Sequence, residues 1–304
     1  MTSKTATSKA QEIRLAHSPD SDDAFMFYAL ATRKVRTPGL KFTHVLQDIE
    51  TLNQAARQET YDVTAISFHA YPFLADKYRL LDCGASFGEG YGPVVVARKP
   101  LTRRRLAREV VAIPGELTTA HLALKLWLPE VRTRVVPFDR ILDEVAAGQA
   151  GAGVVIHEGQ LTFGERGLQA VVDLGAWWQA ETGGPLPLGG NGIRKDIDPA
   201  LQARLCQLLA DSIAYGLAHR EETLDYAVRY ARGLEGDRRR ADRFVAMYVN
   251  EWTREYGAVG RRAVQELLER GHAAGVLPRR VAAEFVECSP AKAAPVESVG
   301  ASPA

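Results

Sequence analysis

No stretch of the sequence approaches the roughly 20 consecutive apolar residues that a membrane-spanning helix requires, so no membrane role is expected. Neither sign of charge is in excess: 38 Lys and Arg stand against 37 Asp and Glu. That balance removes the net field that would draw in nucleic acid or an anionic membrane. The two short basic runs, residues 103–105 and 238–240, lie far apart beside helix-like sequence and read as solvated helix faces. Cysteine is scarce. Cys83, Cys206 and Cys288 are odd in number, widely spaced and without a C-x-x-C pair. Neither a disulfide framework nor a zinc site is therefore indicated, and the set suits a reducing cytoplasm. Residues 1–11 are polar and small, with no apolar signal core, which predicts a protein that is not exported.

What the chain does have is enough apolar sequence for a large core. Of its 304 residues 46% are hydrophobic and 25% charged, which predicts one large domain or two lobes. Short β-branched runs alternate with helical patterns: EIRLAH then DAFMFYALA, LKFTHVL then IETLNQAAR, DVTAIS then FHAYPFLADKY. This rhythm predicts a sheet of parallel strands with helical crossovers. A second series starts near REVVAIPG, with helices over 118–128 and 141–147 and strands at RTRVVPF, GAGVVIHEG and LQAVVDLG. From Pro199 onward the pattern is helical, and those helices have no strands of their own to cover. The expected organisation is a large α/β lobe from 12–99 and 194–288 and a small α/β lobe from 100–193, between disordered tails at 1–11 and 289–304. Two lobes joined by two crossings describe a periplasmic-binding-protein-like fold with its ligand cleft at the strand ends.

Three turns carry candidate chemistry. HSPDSDDAF, residues 17–25, joins a predicted strand to a predicted helix. Asp20 or Ser21 suits a helix cap there, and Asp20 with Asp23 has capping-box spacing. Asp22 and Asp23 suit the positive end of the helix dipole. The same acids also fit a polar cleft rim or, with oxygen ligands converging, a metal site. IPGELTTAHLAL, residues 113–124, is a strand end, a Pro-Gly turn and a helix start. Its Thr118 and Thr119 hydroxyls and free amides would suit an anion or would simply cap the helix. VVIHEG ends a strand on His157, which reads equally as a general base and as a core histidine satisfied by the backbone. His69, after Ser67, could face the same cleft, whereas His44, His121, His219 and His272 read as structural or solvated. The glycines at 84–92 and 189–192 make no phosphate loop; the first group is expected to shape the cleft wall or begin a hinge. Neither G-x-S-x-G nor H-E-x-x-H occurs.

The ordered set SPDSDDAFMFYALA, DIETLN, ISFHAY, GPVVVAR, IPGELTTA, FDRI, VVIHEG and DLGAWWQAETGGPLPLGG resembles the 1,4-dihydroxy-6-naphthoate synthase family of the futalosine route to menaquinone. The similarity runs from about Ile13 to about Val276. The resemblance implies a cytoplasmic lyase with a two-lobed fold and no metal or organic cofactor, acting on cyclic dehypoxanthine futalosine. It makes His157 the general base, and Ala65, Ile66, Ser67, Thr118 and Thr119 the substrate contacts. Ser18, Asp22 and Asn191 fall on the cleft rim, and the expected partner is a small-molecule carboxylate, with a homodimer as the assembly. Phe68, Tyr71, Phe87 and Tyr91 would stack on a fused ring or fill the core. Where the family turn has Asn, this chain has Asp22, so either Asp22 points away from a carboxylate substrate or the substrate differs. Two other functions fit the same fold: a solute-binding or sensing protein, and a sister enzyme such as chorismate dehydratase.

Overall fold

A computed structural model describes residues 10–231, 233–234 and 236–288. The chain begins with β1 (Gln11–His17), α1 (Ser21–Ala31), β2 (Leu40–Leu46), α2 (Ile49–Ala56) and β3 (Val63–Ser67), and β1 pairs in parallel with both β2 and β3. A single-turn α3 (Tyr71–Leu74), β4 (Tyr78–Leu81) and β5 (Ser86–Gly88) follow. The chain then builds a second sheet from β6 (Val94–Ala97), α4 (Arg103–Leu106), β7 (Val110–Ile113), α5 (Thr119–Trp127), β8 (Arg132–Val135), α6 (Ile141–Ala146), β9 (Ala152–Val155), β10 (Gln169–Asp173) and α7 (Leu174–Thr182). It returns along β11 (Leu186–Arg194) and ends in α8 (Pro199–Ala218), α9 (Arg220–Ala227), α10 (Arg238–Tyr248), α11 (Glu251–Arg254), α12 (Gly257–Ala273) and β12 (Phe285–Val286).

The first sheet runs β12-β4-β11-β3-β1-β2, with β5 beside β11; the second runs β10-β6-β9-β7-β8. Both crossings come earlier than expected. The chain leaves the first sheet between Gly88 and Val94 rather than near Lys99, and it is back by Leu186 rather than Arg194. The all-parallel expectation also needs correction: β11 is antiparallel to β3 and β4, and β6 is antiparallel to β9 and β10. Strands β6 and β11 flank the two crossings, so each enters its sheet against the direction of the β–α–β strands.

The terminal helices cover the first lobe, as their lack of strands predicts. Helix α1 is apolar nearly all round and buried from Ala24 to Leu30, packing Phe25, Phe27 and Leu30 into a core with Leu205, Leu209, Ile213 and Leu224. The D-L-G-x-W-W segment locks the crossover to the second lobe. Asp173 caps α7 by accepting from the amides of Gly175 and Ala176 at 2.8 and 3.0 Å. A Cβ on Gly175 would lie 1.9 Å from the Tyr91 carbonyl oxygen, so only glycine allows that backbone approach. Trp178 is buried and its indole NH donates to the Pro185 carbonyl at 3.1 Å.

The cysteine expectation is overturned. Cys206 on α8 and Cys288, just past β12, form a disulfide with Cα atoms 5.0 Å apart, and the buried Cys83 remains a thiol 3.7 Å from the Cys288 sulfur. Pairing of β12 with β4 lays the segment up to Cys288 against α8, and a sequence separation of 82 residues carries no trace of that docking. Gln11, expected in a disordered tail, opens β1; the tail expectations for 1–9 and 289–304 lie outside the described residues. Among the described residues no helix is long and apolar enough to cross a membrane.

Candidate active site

The two lobes enclose a cavity at the ends of β1, β3 and β9. Ser18 and Asp20 line it from the turn before α1, Asp22 and Asp23 from the first turn of that helix, Ala65, Ile66 and Ser67 from the end of β3, and Gly189, Gly190 and Asn191 from β11. The second lobe adds Thr118, Thr119 and Ala120 at the start of α5, with Ile156 and Gln160 after β9. The cavity is open to solvent on one side.

One seam between the lobes is built on Asn53. Its carbonyl accepts from the Ser67 amide at 2.8 Å, and its amide donates to the Ser67 hydroxyl at 3.1 Å and to the Leu117 carbonyl at 3.4 Å. Glu50, one helical turn earlier, accepts from the Leu117 amide at 3.0 Å, and burial raises its carboxyl above the usual range. The carboxylate reaches there because Gly115 has no side chain; a Cβ would sit 2.5 Å from the Glu50 Cγ. His69 completes the seam, with Nδ1 3.0 Å from the Thr118 carbonyl, and burial lowers its pKa to about 4. It therefore holds a structural position rather than facing the cavity.

The Thr-Thr pair spends its hydroxyls on the fold. Thr118 caps α5, accepting from the His121 amide and donating to the Gly115 carbonyl at 2.9 Å. The Thr119 hydroxyl accepts from the His69 amide and donates to the Leu188 carbonyl. What the turn leaves for a ligand is the first backbone amides of α5, which have no acceptor within the helix. Across the cavity Asn191 is 2% exposed; its amide donates to the Gly84 carbonyl at 2.8 Å and its Oδ1 has no partner. A buried unpaired acceptor on a cavity wall is satisfied by a ligand donor or by water.

The acidic turn does not cap α1 as its sequence suggests. Asp20 sits at the cap position but makes no capping bond; it accepts from the Ser18 hydroxyl at 2.6 Å, while Asp23 accepts from the Ser18 amide at 2.6 Å. Asp22 does not point away but lines the cavity, and burial beside Asp20 pushes its carboxyl up to about 7. Asp23 is raised in the same way by burial and by the Asp22 and Asp20 charges. The acids of the turn are not drawn together as a ligand set: among the described residues, the His, Cys, Asp or Glu side chains whose ligating atoms cluster in threes are Cys83, Cys206 and Cys288.

His157 lies just behind the lining, between Ile156 and Gln160, which do reach the cavity. Its Nδ1 accepts from the Gly159 amide at 3.0 Å, so Nε2 carries the proton and faces the Phe138 carbonyl at 3.2 Å. Beside it Glu158 is fully buried and accepts from the Ser21 hydroxyl at 2.7 Å.

Residues 13–273 match the family model described as menaquinone biosynthesis. The chain belongs to that family. A 1,4-dihydroxy-6-naphtoate synthase of Thermus thermophilus is 41% identical over 266 residues, which cover 88% of this chain and 96% of that protein. One of Streptomyces coelicolor is 33% identical over 276 residues, with 88% and 96% covered. Among solved structures, a protein from Archaeoglobus fulgidus matches with a TM-score of 0.83 at 46% identity, covering 87% of this chain and 98% of that one. The alkanesulfonate-binding protein of Xanthomonas axonopodis pv. citri matches with a TM-score of 0.69 at 15% identity, covering 93% and 100%, which speaks for the fold alone. The family resemblance and the binding-protein-like fold are both borne out, and the chain is an enzyme.

Of the residues singled out for this family, Ser18, Asp22, Ala65, Ile66, Ser67, Thr118, Thr119 and Asn191 meet at one cavity, and His157 stands behind its wall. Phe68, Tyr71 and Phe87 are fully buried and absent from the lining, so they fill the core; Tyr91 donates to the Met247 carbonyl. Asn53, Glu158 and Tyr248 were not singled out. D-I-E-T-L-N and I-H-E held the first two within motifs already noted, whereas Tyr248 reaches the cavity from a helix late in the chain and carries no local signal.

Proposed function

We propose that this enzyme is a lyase that converts cyclic dehypoxanthine futalosine to 1,4-dihydroxy-6-naphthoate in the cytoplasm, with His157 as the general base. One observation carries the reading: the start of α5, with its first amides, and the Ser67 and Asn191 side chains line a single cavity. A substrate carboxylate on the Thr119 and Ala120 amides meets the positive end of the helix dipole. A fused ring then lies along Ile49, Ile66, Ile156 and Leu188, and the bare Oδ1 of Asn191 takes a hydroxyl of the sugar-derived part. Proton removal from that part starts its release, and an imidazole, whose ordinary pKa is about 6.5, suits the task near neutral pH. To act as the base the ring turns away from the Gly159 amide, which frees the Nδ1 lone pair.

A second assignment of the base is favoured by Asp22, which lines the cavity and is pushed up to about 7, so that it too exchanges protons near neutrality. Incubating purified protein with cyclic dehypoxanthine futalosine and following product by mass spectrometry tests both. A folded His157→Ala variant that loses about 10² to 10⁴ in kcat supports His157. Full activity there, with Asp22→Asn inactive, moves the base to Asp22. Stoichiometric binding without product sinks the lyase and leaves a solute-binding protein, and turnover of chorismate instead points to the sister enzyme.

A further inference from the structure

Helix α1 begins in a buried place and lacks a cap of its own: Asp20 faces Ser18, and no side chain of the turn accepts from the Ser21 amide. The acceptor comes from the other lobe, 137 residues along the chain. Glu158 Oε1 takes the Ser21 hydroxyl at 2.7 Å and the Ser21 amide at 3.3 Å. Glu158 is fully buried, and its Oε2 has no partner. It opens the 3₁₀ turn Glu158–Leu161, whose cap is His157 itself, through the Gly159 amide. The same turn is held from α10, where the Tyr248 hydroxyl donates to Gln160 at 2.7 Å.

The groups facing Glu158 are acids or neutral. Asp20 approaches from the turn before α1 and Asp22 from its first turn, while His157 precedes it on its own turn and Tyr248 of α10 bonds the neighbouring Gln160. With no cation among these groups, burial and the Asp20 and Asp22 charges push the Glu158 carboxyl up to about 8. Near neutral pH its protonated form is therefore favoured, with Oε1 as the acceptor from Ser21.

We propose that Glu158 is a positioning residue: by capping α1 across the cleft through Ser21, it holds the lobes together on the acidic side of the cavity and sets the turn that carries His157. This rests on the proposed role of His157, but the contact between the lobes is measured without turnover. A carboxyl raised this far favours the closed contact most at low pH, and that advantage is lost as pH rises toward about 8, where Glu158 ionises beside Asp20 and Asp22.

The test compares wild type with Ser21→Ala, Glu158→Ala, Glu158→Gln and the Ser21→Ala/Glu158→Ala double variant. Amide hydrogen exchange is followed over residues 20–26 and 157–161, beside kcat and KM from pH 6 to 9. Ser21→Ala and Glu158→Ala should each speed exchange in both segments together by about tenfold, the scale of one buried hydrogen bond, and the double variant should add little. Their kcat should fall while KM moves less. Glu158→Gln, which keeps a neutral acceptor and donor, should retain protection and kcat and should lose the alkaline decline of the wild type. The proposal is overturned if exchange rises in one segment only, if the Ser21 and Glu158 effects add in full, or if Gln behaves as Ala. Should Glu158→Ala fail to fold, Ser21→Ala and Glu158→Gln carry the same comparison. If the exchange results hold while even wild type leaves cyclic dehypoxanthine futalosine unchanged, the contact stands and the assigned reaction falls.

Discussion

Replacing Asn53 with alanine should separate the stability of the first lobe from the closure of the cleft. Asn53 is fully buried and makes three hydrogen bonds: one accepted from the Ser67 amide, and two donated, to the Ser67 hydroxyl and the Leu117 carbonyl. Alanine leaves the Ser67 amide buried without an acceptor, which costs about 1 to 3 kcal/mol, and removes two further bonds worth about 1 kcal/mol each. The sum is a loss of about 3 to 5 kcal/mol, with the caution that bonds sharing one amide group are not additive. The two Ser67 bonds lie within the first lobe and should appear in global unfolding. The Leu117 bond spans the cleft, so its share should appear as a ligand affinity weakened about fivefold to tenfold. Urea unfolding followed by circular dichroism and by tryptophan fluorescence gives the first quantity, and titration with the naphthoate product gives the second. Asn53→Asp sharpens the comparison, because it keeps an acceptor for the Ser67 amide while losing both donors. A loss below 1 kcal/mol in Asn53→Ala, with affinity unchanged, would refute the placement of Asn53 at the seam.

Stability on the acid side should depend on His69 and His17, which burial holds at about 4 and about 3. Both are neutral in the fold, so their contribution is full above the unfolded value of about 6.5 and is lost as pH falls from there toward the folded values, by at most about 1.4 kcal/mol per pH unit for each. The raised Asp22 and Asp23 work in the opposite direction as pH falls, so the informative quantity is the change in slope: His69→Gln should flatten the decline between pH 6.5 and 4, and parallel slopes would count against the burial argument. For the disulfide, Cys206→Ser should lower the unfolding free energy by roughly 2 to 5 kcal/mol, given the 82 residues between the linked cysteines. Thiol titration of the unfolded, unreduced wild type should find one reactive thiol, from Cys83, and three would mean that the bridge does not form.

The parts of this protein that were legible in the sequence are those encoded within one element and its turn. Alternating apolar runs marked β1, β2, β3, β7 and β9, and the helical pattern from Pro199 onward became α8 to α12. Thr118 announced a helix cap by type and position, and it is one. What escaped depends on docking between distant segments. Cys206 and Cys288 meet because β12 pairs with β4; Asn53 and Leu117, and Ser21 and Glu158, meet because one lobe closes on the other. The acidic turn shows how the two levels interfere. D-S-D-D has the residues of a self-sufficient cap, yet Ser18 takes up Asp20 and Asp23, and the helix is capped by a carboxyl from the far lobe. His157, the proposed base, makes the same point. Its place at a strand end followed from the pattern, but its tautomer follows from the Gly159 amide and the Phe138 carbonyl, and the latter lies on a separate turn of the second lobe. A sequence therefore names the groups available to a site before it says which of them bear a free lone pair, because that depends on neighbours supplied by the rest of the fold.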